Sequence, residues 1–326
     1  MCGLFGFVYY GKKGLKDAEK LLEKLAIEAS VRGTDATGYS FVNKGNIQID
    51  KTPKPAYEMK YLLPKDVHTV IGHTRHATQG NAKNNYNNHP FKGRQGKTEF
   101  AMDHNGVLDN EFEIRENFEI KPNEIQTDSY IACQLMEKMN DFSTKSLKTV
   151  GETVEGMFTF TYMDSKENLY IIKNDSPLTI LHFPILQLYV YASTDDILFN
   201  ALTQFDATKD IIMDSVLNEE SWQIENISIK PGNILIIRPN GTLERGKFKP
   251  KERIWNTSLE YWWGDNYANL DYEDEKIYKE LLKSEAVDMG VTEEEFEKLV
   301  QTLNLEDIED SLYSGTIYEV MMNLGI

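Results

Sequence analysis

The chain has 326 residues, of which 40% are hydrophobic and 11% aromatic, and this composition indicates an ordered globular protein and not a disordered one. No apolar run approaches the ~18 residues that a membrane-spanning helix needs, and the N-terminus lacks the basic and apolar regions of a secretory signal. The formal net charge of −17 argues against a general nucleic-acid binder, because neutralising phosphates takes clustered lysine and arginine. We therefore expect a cytoplasmic protein that binds neither membrane nor nucleic acid.

The negative charge is concentrated at the C-terminal end. Residues 251–326 contain 19 Asp or Glu against 6 Lys or Arg. This break in composition predicts a main domain over 2–250 and an acidic, mainly helical extension over 251–326, which is too short for a second catalytic domain. The aromatic stretch "LEYWWGDNY" opens the extension. It is interpreted either as a docking site for a partner or as part of a cap whose aromatic residues pack on the main domain: Tyr261, Trp262 and Trp263.

In chain order, the first elements are short strands around one amphipathic helix. Residues 15–33 place apolar side chains at a helical period, and Gly33 provides a stop signal. Before this helix, "CGLFGFVYY" is predicted to be a strand that ends at a Lys-Lys-Gly turn. After it, "ATGYSFV" and "GNIQIDK" indicate a hairpin, and "HTVIGHTRHATQG" indicates a buried strand that opens into a polar loop.

The following elements continue the same pattern. We predict a strand over "EFAMDHNGVLDN" that ends at an Asn-Gly turn, and a second amphipathic helix over "TDSYIACQLMEKM" with Thr127 as its N-cap. Four more strands are predicted over "MFTFTYMD", "LYIIKN", "LQLYVYAST" and "NILIIRP". Thr292 and Glu295 form a capping-box signature for a helix over "VTEEEFEKLVQTL", and "SGTIYEVMMNLGI" suits a closing helix. Antiparallel runs of strands with helices between them predict an α+β fold and not a doubly wound parallel sheet.

The chain has two cysteines, and one of them directly follows the initiator methionine. Removal of Met1 would give Cys2 a thiol and a free α-amine on the same residue. A thiol is a good nucleophile only when it is deprotonated, and an α-amine with a pKa of about 7.7–8.0 is a suitable base at neutral pH. Gly3 fits a backbone that must approach a ligand closely. The second cysteine, Cys133, lies in an apolar helical stretch and is predicted to be buried in the core.

Four other residues offer groups that suit acyl transfer on an amino acid. Asn105 offers a side-chain amide and Gly106 a main-chain N–H for a developing oxyanion, although Asn-Gly is also a common hairpin turn. Arg75 has a guanidinium that suits a carboxylate, and Asp128 has a carboxylate that suits an ammonium group. The alternatives are a structural salt bridge between Arg75 and Asp128, and a helix-dipole role for Asp128.

Four of the histidines are candidate metal ligands. His73 and His76 are three residues apart, with His89 and His104 nearby in the sequence. On a strand, however, residues three apart point to opposite faces, and no carboxylate or cysteine lies at ligand spacing. We therefore predict no metal site.

Six motifs in a fixed order resemble those of the class II glutamine amidotransferases, within the N-terminal-nucleophile hydrolases. The resemblance covers about residues 2–240 and implies a four-layer αββα sandwich of two stacked antiparallel sheets. Within it, "ASTDDILFNAL" and "ISIKPGNILII" look like later strands of the family. The six motifs are "MCGLFG", "RGTDATG" at 32–38, "GHTRHATQG" at 72–80, "NNHPF" at 87–91, "HNG" at 104–106 and "TDSY" at 127–130.

The resemblance also implies a mechanism without a cofactor. Cys2 attacks the side-chain amide of glutamine, and its own α-amine, through a water, is the base that later protonates ammonia. Asn105 and Gly106 form the oxyanion hole, and water hydrolyses the γ-glutamyl thioester to glutamate. By the same resemblance, Arg75 binds the α-carboxylate of glutamine and Asp128 binds its α-ammonium group. Thr78 makes a polar contact at the amino-acid end, and Arg32 supports the nucleophile.

Two positions depart from the family pattern. His76 stands where some members have Trp, and Gln79 stands where many have His. Both neighbour Arg75, so we expect them to shape the loop that closes over the substrate.

Three functions follow from these residues. The first is a free-standing glutaminase or amidotransferase subunit that supplies ammonia to a separate synthetase or ligase. We favour it because residues 251–326 match none of the acceptor domains of the family. The second is a hydrolase of another γ-glutamyl amide or peptide, and the third is a catalytically retired interaction module.

Overall fold

The computed structural model describes residues 2–77, 79–139, 141–217, 223–251, 279, 282–283, 286–287, 289–314 and 316–326. The chain divides into two units, Met1–Arg253 and Ile254–Ile326, which are described separately. None of the helices in the described ranges is long and apolar enough to cross a membrane.

The described part of the first unit contains thirteen strands and six α-helices. The strands are β1 (Gly3–Tyr9), β2 (Ala36–Asn43), β3 (Asn46–Thr52), β4 (Thr69–Arg75), β5 (Phe91–Gln95), β6 (Thr98–Leu108), β7 (Gly156–Asp164), β8 (Leu169–Lys173), β9 (Thr179–Phe183), β10 (Leu188–Ala192), β11 (Glu225–Asn226), β12 (Asn233–Ile237) and β13 (Leu243–Lys247). The helices are α1 (Ala18–Ala29), α2 (Glu111–Asn117), α3 (Tyr130–Lys138), α4 (Thr144–Thr153), α5 (Asp195–Thr203) and α6 (Lys209–Leu217).

The strands form two antiparallel sheets. The first sheet has seven strands in the order β11-β9-β10-β1-β4-β2-β3, and the second has six in the order β13-β12-β8-β7-β6-β5. Every neighbouring pair is antiparallel. The predicted α+β fold with two antiparallel sheets is confirmed.

Alternation of side chains along the strands creates three apolar layers between four layers of structure. In β1, Leu4 belongs to the layer between the sheets, whereas Phe5 packs into the layer that α1 and α5 cover. In the second sheet, Ile171 belongs to the layer between the sheets and Phe160 to the layer under α3 and α4. The result is the αββα order, with the polar ends of β1, β4 and β6 leading into the site described below.

Three local predictions are wrong. Strand β6 does not end at an Asn-Gly turn but continues through Asn105 and Gly106 to Leu108. Gly106 adopts a φ of 139°, and a Cβ there would lie 1.9 Å from the Met157 oxygen, so glycine lets the strand continue at close approach to β7. Thr127 is not the cap of α3, because Ser129 holds the N-cap position and the buried Thr127 hydroxyl has no hydrogen-bond partner.

The third wrong prediction concerns "ASTDDILFNAL". Strand β10 ends at Ala192, and the residues after Thr194 form α5 instead of continuing the strand. Apolar side chains at helical spacing explain the difference, since they pack under α1 in one layer: Ile197, Leu198, Ala201 and Leu202.

The described part of the second unit contains three helices, α7 (Glu293–Thr302), α8 (Leu305–Ser314) and α9 (Ile317–Leu324). The predicted capping box is confirmed, because Thr292 and Glu295 exchange side-chain to main-chain hydrogen bonds. Phe296 is fully buried in a separate apolar cluster of this unit. The predicted docking or capping residues Tyr261, Trp262 and Trp263 lie outside the described residues.

The contact between the two sheets makes a stability prediction. Ile171 is fully buried between them, so Ile171→Ala should lower the free energy of unfolding by about 2–5 kcal/mol through lost burial and the cavity left behind. The matched control is Ile171→Val, which removes one methyl group and should cost only about 0.5–1.5 kcal/mol. Urea titration followed by far-ultraviolet circular dichroism measures both. Equal midpoints for the two variants would contradict the packing.

Candidate active site

Cys2 and Arg75 lie side by side at one edge of the first sheet. Gly3 in β1 is paired with Thr74 in β4, so the residues that flank this pair, Cys2 and Arg75, are neighbours where the two strands meet the site. His73 of β4 reaches the second sheet, because its Nε2 donates a hydrogen bond to the main-chain oxygen of His104 at 2.9 Å. This bond brings the strand that carries Arg75 next to β6.

The nucleophile candidate is fixed through its main chain. Arg32 Nε donates to the Cys2 oxygen at 2.8 Å, and Cys2 Sγ lies 3.5 Å from the His76 oxygen. A Cβ on Gly3 would lie 2.5 Å from Thr74 Oγ1, so glycine is needed where β1 approaches its neighbour. Burial raises the pKa of the Cys2 thiol above its ordinary value, and a main-chain hydrogen bond with His76 and the charge of Arg75 only partly oppose this. The thiol therefore needs a base at neutral pH.

Arg75 is buried, with 3% of its surface exposed, and its guanidinium is oriented by oxygens from the following loop. Nη1 donates to Asn88 Oδ1 at 2.7 Å, and Nη2 donates to the Gly80 oxygen at 3.3 Å and to the Gln79 oxygen. These contacts fix the plane of the guanidinium, which suits recognition of a planar carboxylate.

The oxyanion candidates are on β6. Asn105 is 2% exposed, and its Nδ2 has no hydrogen-bond partner. A buried donor without a partner costs roughly 1–3 kcal/mol, and a ligand oxygen would remove that cost. Gly106 follows with its φ of 139° and leaves no room for a side chain beside Met157 and His104.

Asp128 precedes α3 and is oriented by β6. Its Oδ2 accepts a hydrogen bond from the Leu108 main-chain N–H at 2.7 Å, and its Oδ1 lies 3.4 Å from Ser129 Oγ. Burial raises the pKa of this carboxyl, and the Leu108 N–H partly lowers it. The partners of Arg75 and Asp128 are therefore amides, a hydroxyl and main-chain groups, and the two form no salt bridge with each other.

The loop after Arg75 is anchored by a residue that the sequence analysis did not single out. Asp35 Oδ2 accepts the Ala77 N–H at 2.7 Å and lies 4.0 Å from His76 Nδ1. The His76 side chain is 60% exposed. Gln79 contacts Arg75 through its main-chain oxygen, and Thr78 lies outside the described residues.

Asn88 was also missed as a site residue. Besides binding Arg75, its fully buried amide donates to the Ala82 oxygen at 2.8 Å, so it joins Arg75 to the loop at 81–88. Asn88 stands in the motif "NNHPF" and Asp35 in the motif "RGTDATG". Membership of these motifs is the only feature of the sequence that points to a role for either residue. Their roles depend on contacts between distant parts of the chain.

The buried histidines and the second cysteine belong to the interior. The rings of His73 and His89 stack at 4.2 Å, and burial lowers the pKa of His73 to about 3. In the part of the chain that the structure describes, no group of three His, Cys, Asp or Glu side chains is arranged to hold a metal ion. Cys133 is fully buried in the core, as predicted.

Comparison with known proteins gives the family. Residues 50–254 match the family described as "Glutamine amidotransferases class-II". The glutamine–fructose-6-phosphate aminotransferase (isomerizing) of Streptococcus agalactiae is 32% identical over 189 residues, and that of Aquifex aeolicus is 33% identical over 192 residues. Each match covers 55% of this chain and 30% of the relative, so the chain spans less than a third of the length of these relatives.

A solved structure has the same fold. The glutamine phosphoribosylpyrophosphate amidotransferase from B. subtilis, complexed with ADP and GMP, superposes with a TM-score of 0.56 at 20% identity, covering 89% of this chain and 59% of the other. The resemblance stated from the motifs is confirmed, and the αββα sandwich is that of the N-terminal-nucleophile hydrolases. The protein belongs to the class II glutamine amidotransferases.

Proposed function

We propose that the protein, after removal of Met1, hydrolyses the side-chain amide of glutamine through a thioester on Cys2 and releases glutamate and ammonia. One observation supports the proposal: Cys2 is the strand neighbour of the buried Arg75, and the adjoining strand β6 carries the unpartnered Asn105 Nδ2 and binds the buried Asp128 carboxylate through Leu108. The charges of Arg75 and Asp128 act on the Cys2 thiol in opposite senses, Arg75 lowering its pKa and Asp128 raising it.

In this proposal glutamine binds mainly through its α-carboxylate and α-ammonium groups. Arg75 receives the α-carboxylate, because its guanidinium is already held in one plane by the Asn88 amide and the loop oxygens. Asp128 receives the α-ammonium through Oδ1, since Oδ2 is occupied by the Leu108 N–H. His76 and Gln79 flank Thr78 in the sequence, and we assign all three to contacts with this end of the substrate.

The reaction then proceeds in two halves. The α-amine of Cys2, through a water, takes the thiol proton, and Sγ attacks the side-chain carbonyl carbon of glutamine. The Asn105 amide and the Gly106 N–H stabilise the oxyanion, and the protonated amine gives its proton to the departing ammonia. A water activated by the same amine attacks the thioester carbon, breaks the C–S bond and releases glutamate. Arg32 and Gly3 keep Cys2 in place throughout.

We also propose that a separate synthetase or ligase uses the ammonia. The support is the second unit, whose described helices bury their own apolar core while residues 251–326 carry 19 acidic against 6 basic residues. Such an excess of negative charge suits a partner with a basic face. A candidate acceptor enzyme should therefore increase glutamine turnover. Turnover that is identical with and without every acceptor tested would contradict this part.

Purified protein should convert glutamine to equimolar glutamate and ammonia, and Cys2→Ala should abolish the conversion because the nucleophile is lost. Coupled assays for both products measure this. A variant with Met1 retained is the matched control: its thiol is intact but its α-amine is blocked, so it should also be inactive. Full activity in either variant would contradict the mechanism. Faster hydrolysis of γ-glutamyl amines than of glutamine would favour the alternative substrate class.

Asp128 makes a pH prediction for binding, best measured in Cys2→Ala, where no turnover occurs. Burial raises the Asp128 pKa, so the carboxylate form is lost as the pH falls through that raised value, and glutamine affinity should fall with it. Calorimetric titration across pH 4–8 measures the effect. Asp128→Asn, as the control, should bind about 10- to 100-fold more weakly at neutral pH with this acid dependence removed. The same acid dependence in Asp128→Asn would refute the assignment.

A further inference from the structure

His104 lies next to the oxyanion candidates, but its side chain and the Asn105 side chain lie on opposite faces of β6. It directly precedes Asn105 on β6, so its ring points to the opposite face of the sheet, where it packs 4.9 Å from the Phe160 ring. Only 1% of its surface is exposed, and its main-chain oxygen accepts the hydrogen bond from His73. The proposed mechanism gives this buried, polar side chain no task.

The two ring nitrogens of His104 have different surroundings. Nδ1 lies 2.7 Å from Ser129 Oγ. Nε2 has no hydrogen-bond partner but lies near the Met157 carbonyl, since a Cβ on Gly106 would lie 1.9 Å from that oxygen and 2.9 Å from Nε2. Only an N–H can approach a carbonyl oxygen favourably. Burial lowers the pKa of the ring to about 3, so the ring is neutral and carries one hydrogen. That hydrogen belongs on Nε2, which makes Nδ1 an acceptor.

The Ser129 hydroxyl has one hydrogen and two acceptors nearby. The 2.7 Å contact with His104 Nδ1 is a full hydrogen bond, whereas the contact with Asp128 Oδ1 is 3.4 Å long. The hydrogen therefore lies between Ser129 and His104, and none lies between Ser129 and Asp128. Because the Leu108 N–H occupies Oδ2, Oδ1 is the oxygen of Asp128 whose lone pairs are left for a ligand.

We propose that His104 is a positioning residue for substrate binding: by accepting the Ser129 hydroxyl hydrogen, it keeps that hydrogen away from Asp128 Oδ1, the oxygen that receives the substrate ammonium. The inference rests on the proposed function and deepens it. It also explains why β6 serves both ends of glutamine. The strand carries Asn105 and Gly106 for the carbonyl oxygen, and it orients Asp128 through Leu108 directly and through His104 by way of Ser129.

Modification of Cys2 by two different electrophiles distinguishes a change in binding of the substrate's amino-acid end from a change in the reactivity of the thiol. A diazoketone analogue of glutamine needs the ammonium and carboxylate contacts to reach Cys2, whereas iodoacetamide needs only the thiol. The ratio of their second-order rate constants for Cys2 modification thus reports on the amino-acid end. His104→Leu, which removes the Nδ1 acceptor at similar volume, should lower this ratio about tenfold, because the hydroxyl hydrogen turns to Asp128 and competes with the ammonium.

A conservative variant tests the acceptor itself. His104→Asn places an amide oxygen near the position of Nδ1, so it should restore the ratio to within about threefold of wild type. The KM for glutamine should follow the ratio, rising in the Leu variant and recovering in the Asn variant. Equal ratios for the Leu and Asn variants would overturn the inference.

A double-mutant cycle distinguishes positioning from a structural role. Once Ser129→Ala has removed the hydroxyl, no hydrogen can turn to Asp128, so adding His104→Leu should change the ratio by less than about twofold. The ratio in the double variant should therefore exceed that in His104→Leu alone. A further tenfold loss from His104→Leu in the Ser129→Ala background would overturn the inference, as it would show that the ring acts by packing. If His104→Leu does not fold, His104→Phe, which also lacks the Nδ1 acceptor, takes its place in the wild-type and Ser129→Ala backgrounds.

The diazoketone experiment gives different results if the role of His104 is wrong and if the proposed function is wrong. If the diazoketone does not modify Cys2 of the wild-type protein, the proposed function falls and the inference falls with it. If it modifies wild type and His104→Leu with the same ratio, the function stands and only the role of His104 is wrong.

Discussion

The hydrogen bond from His73 Nε2 to the main-chain oxygen of His104 joins the two sheets where the site is built. It connects β4, which ends at Arg75, to β6, which carries Asn105 one residue further on. The bond is buried, and burial keeps His73 neutral, so the histidine can donate without bringing a charge between the sheets. The strands that carry Arg75 and Asn105 are thereby joined directly, and the loop after β4 orients the guanidinium.

The two charged side chains of the site are satisfied mostly by main-chain atoms. Arg75 and Asp128 are both buried, yet each is held by loop oxygens or a strand N–H instead of an opposite charge. A salt bridge between them would neutralise the two groups that an amino acid requires. Asn105 differs from both, since its buried amide nitrogen Nδ2 has no hydrogen-bond partner. That cost in stability is acceptable where a ligand oxygen forms the missing bond.

Much of this arrangement could be predicted from the sequence, because nucleophile, guanidinium and carboxylate stand in short motifs with recognisable chemistry. The errors have local causes. Asn-Gly is a turn signal, but only the packing of β6 against β7 shows that Gly106 lets the strand continue. The stretch 195–203 is apolar enough for a strand, and its helical form depends on the layer under α1. Asn88 and Ser129 act through contacts with residues far away in the chain, which spacing alone does not reveal.

The central claim is that Cys2, as the first residue of the mature protein, is the nucleophile. The most direct test is mass spectrometry of the N-terminal peptide after incubation with the diazoketone analogue of glutamine. We expect a peptide that begins at Cys2 without Met1 and carries one adduct on that cysteine, with excess glutamine protecting it. An adduct on Cys133 or elsewhere, or an adduct on Cys2 of protein that still carries Met1, would contradict the account.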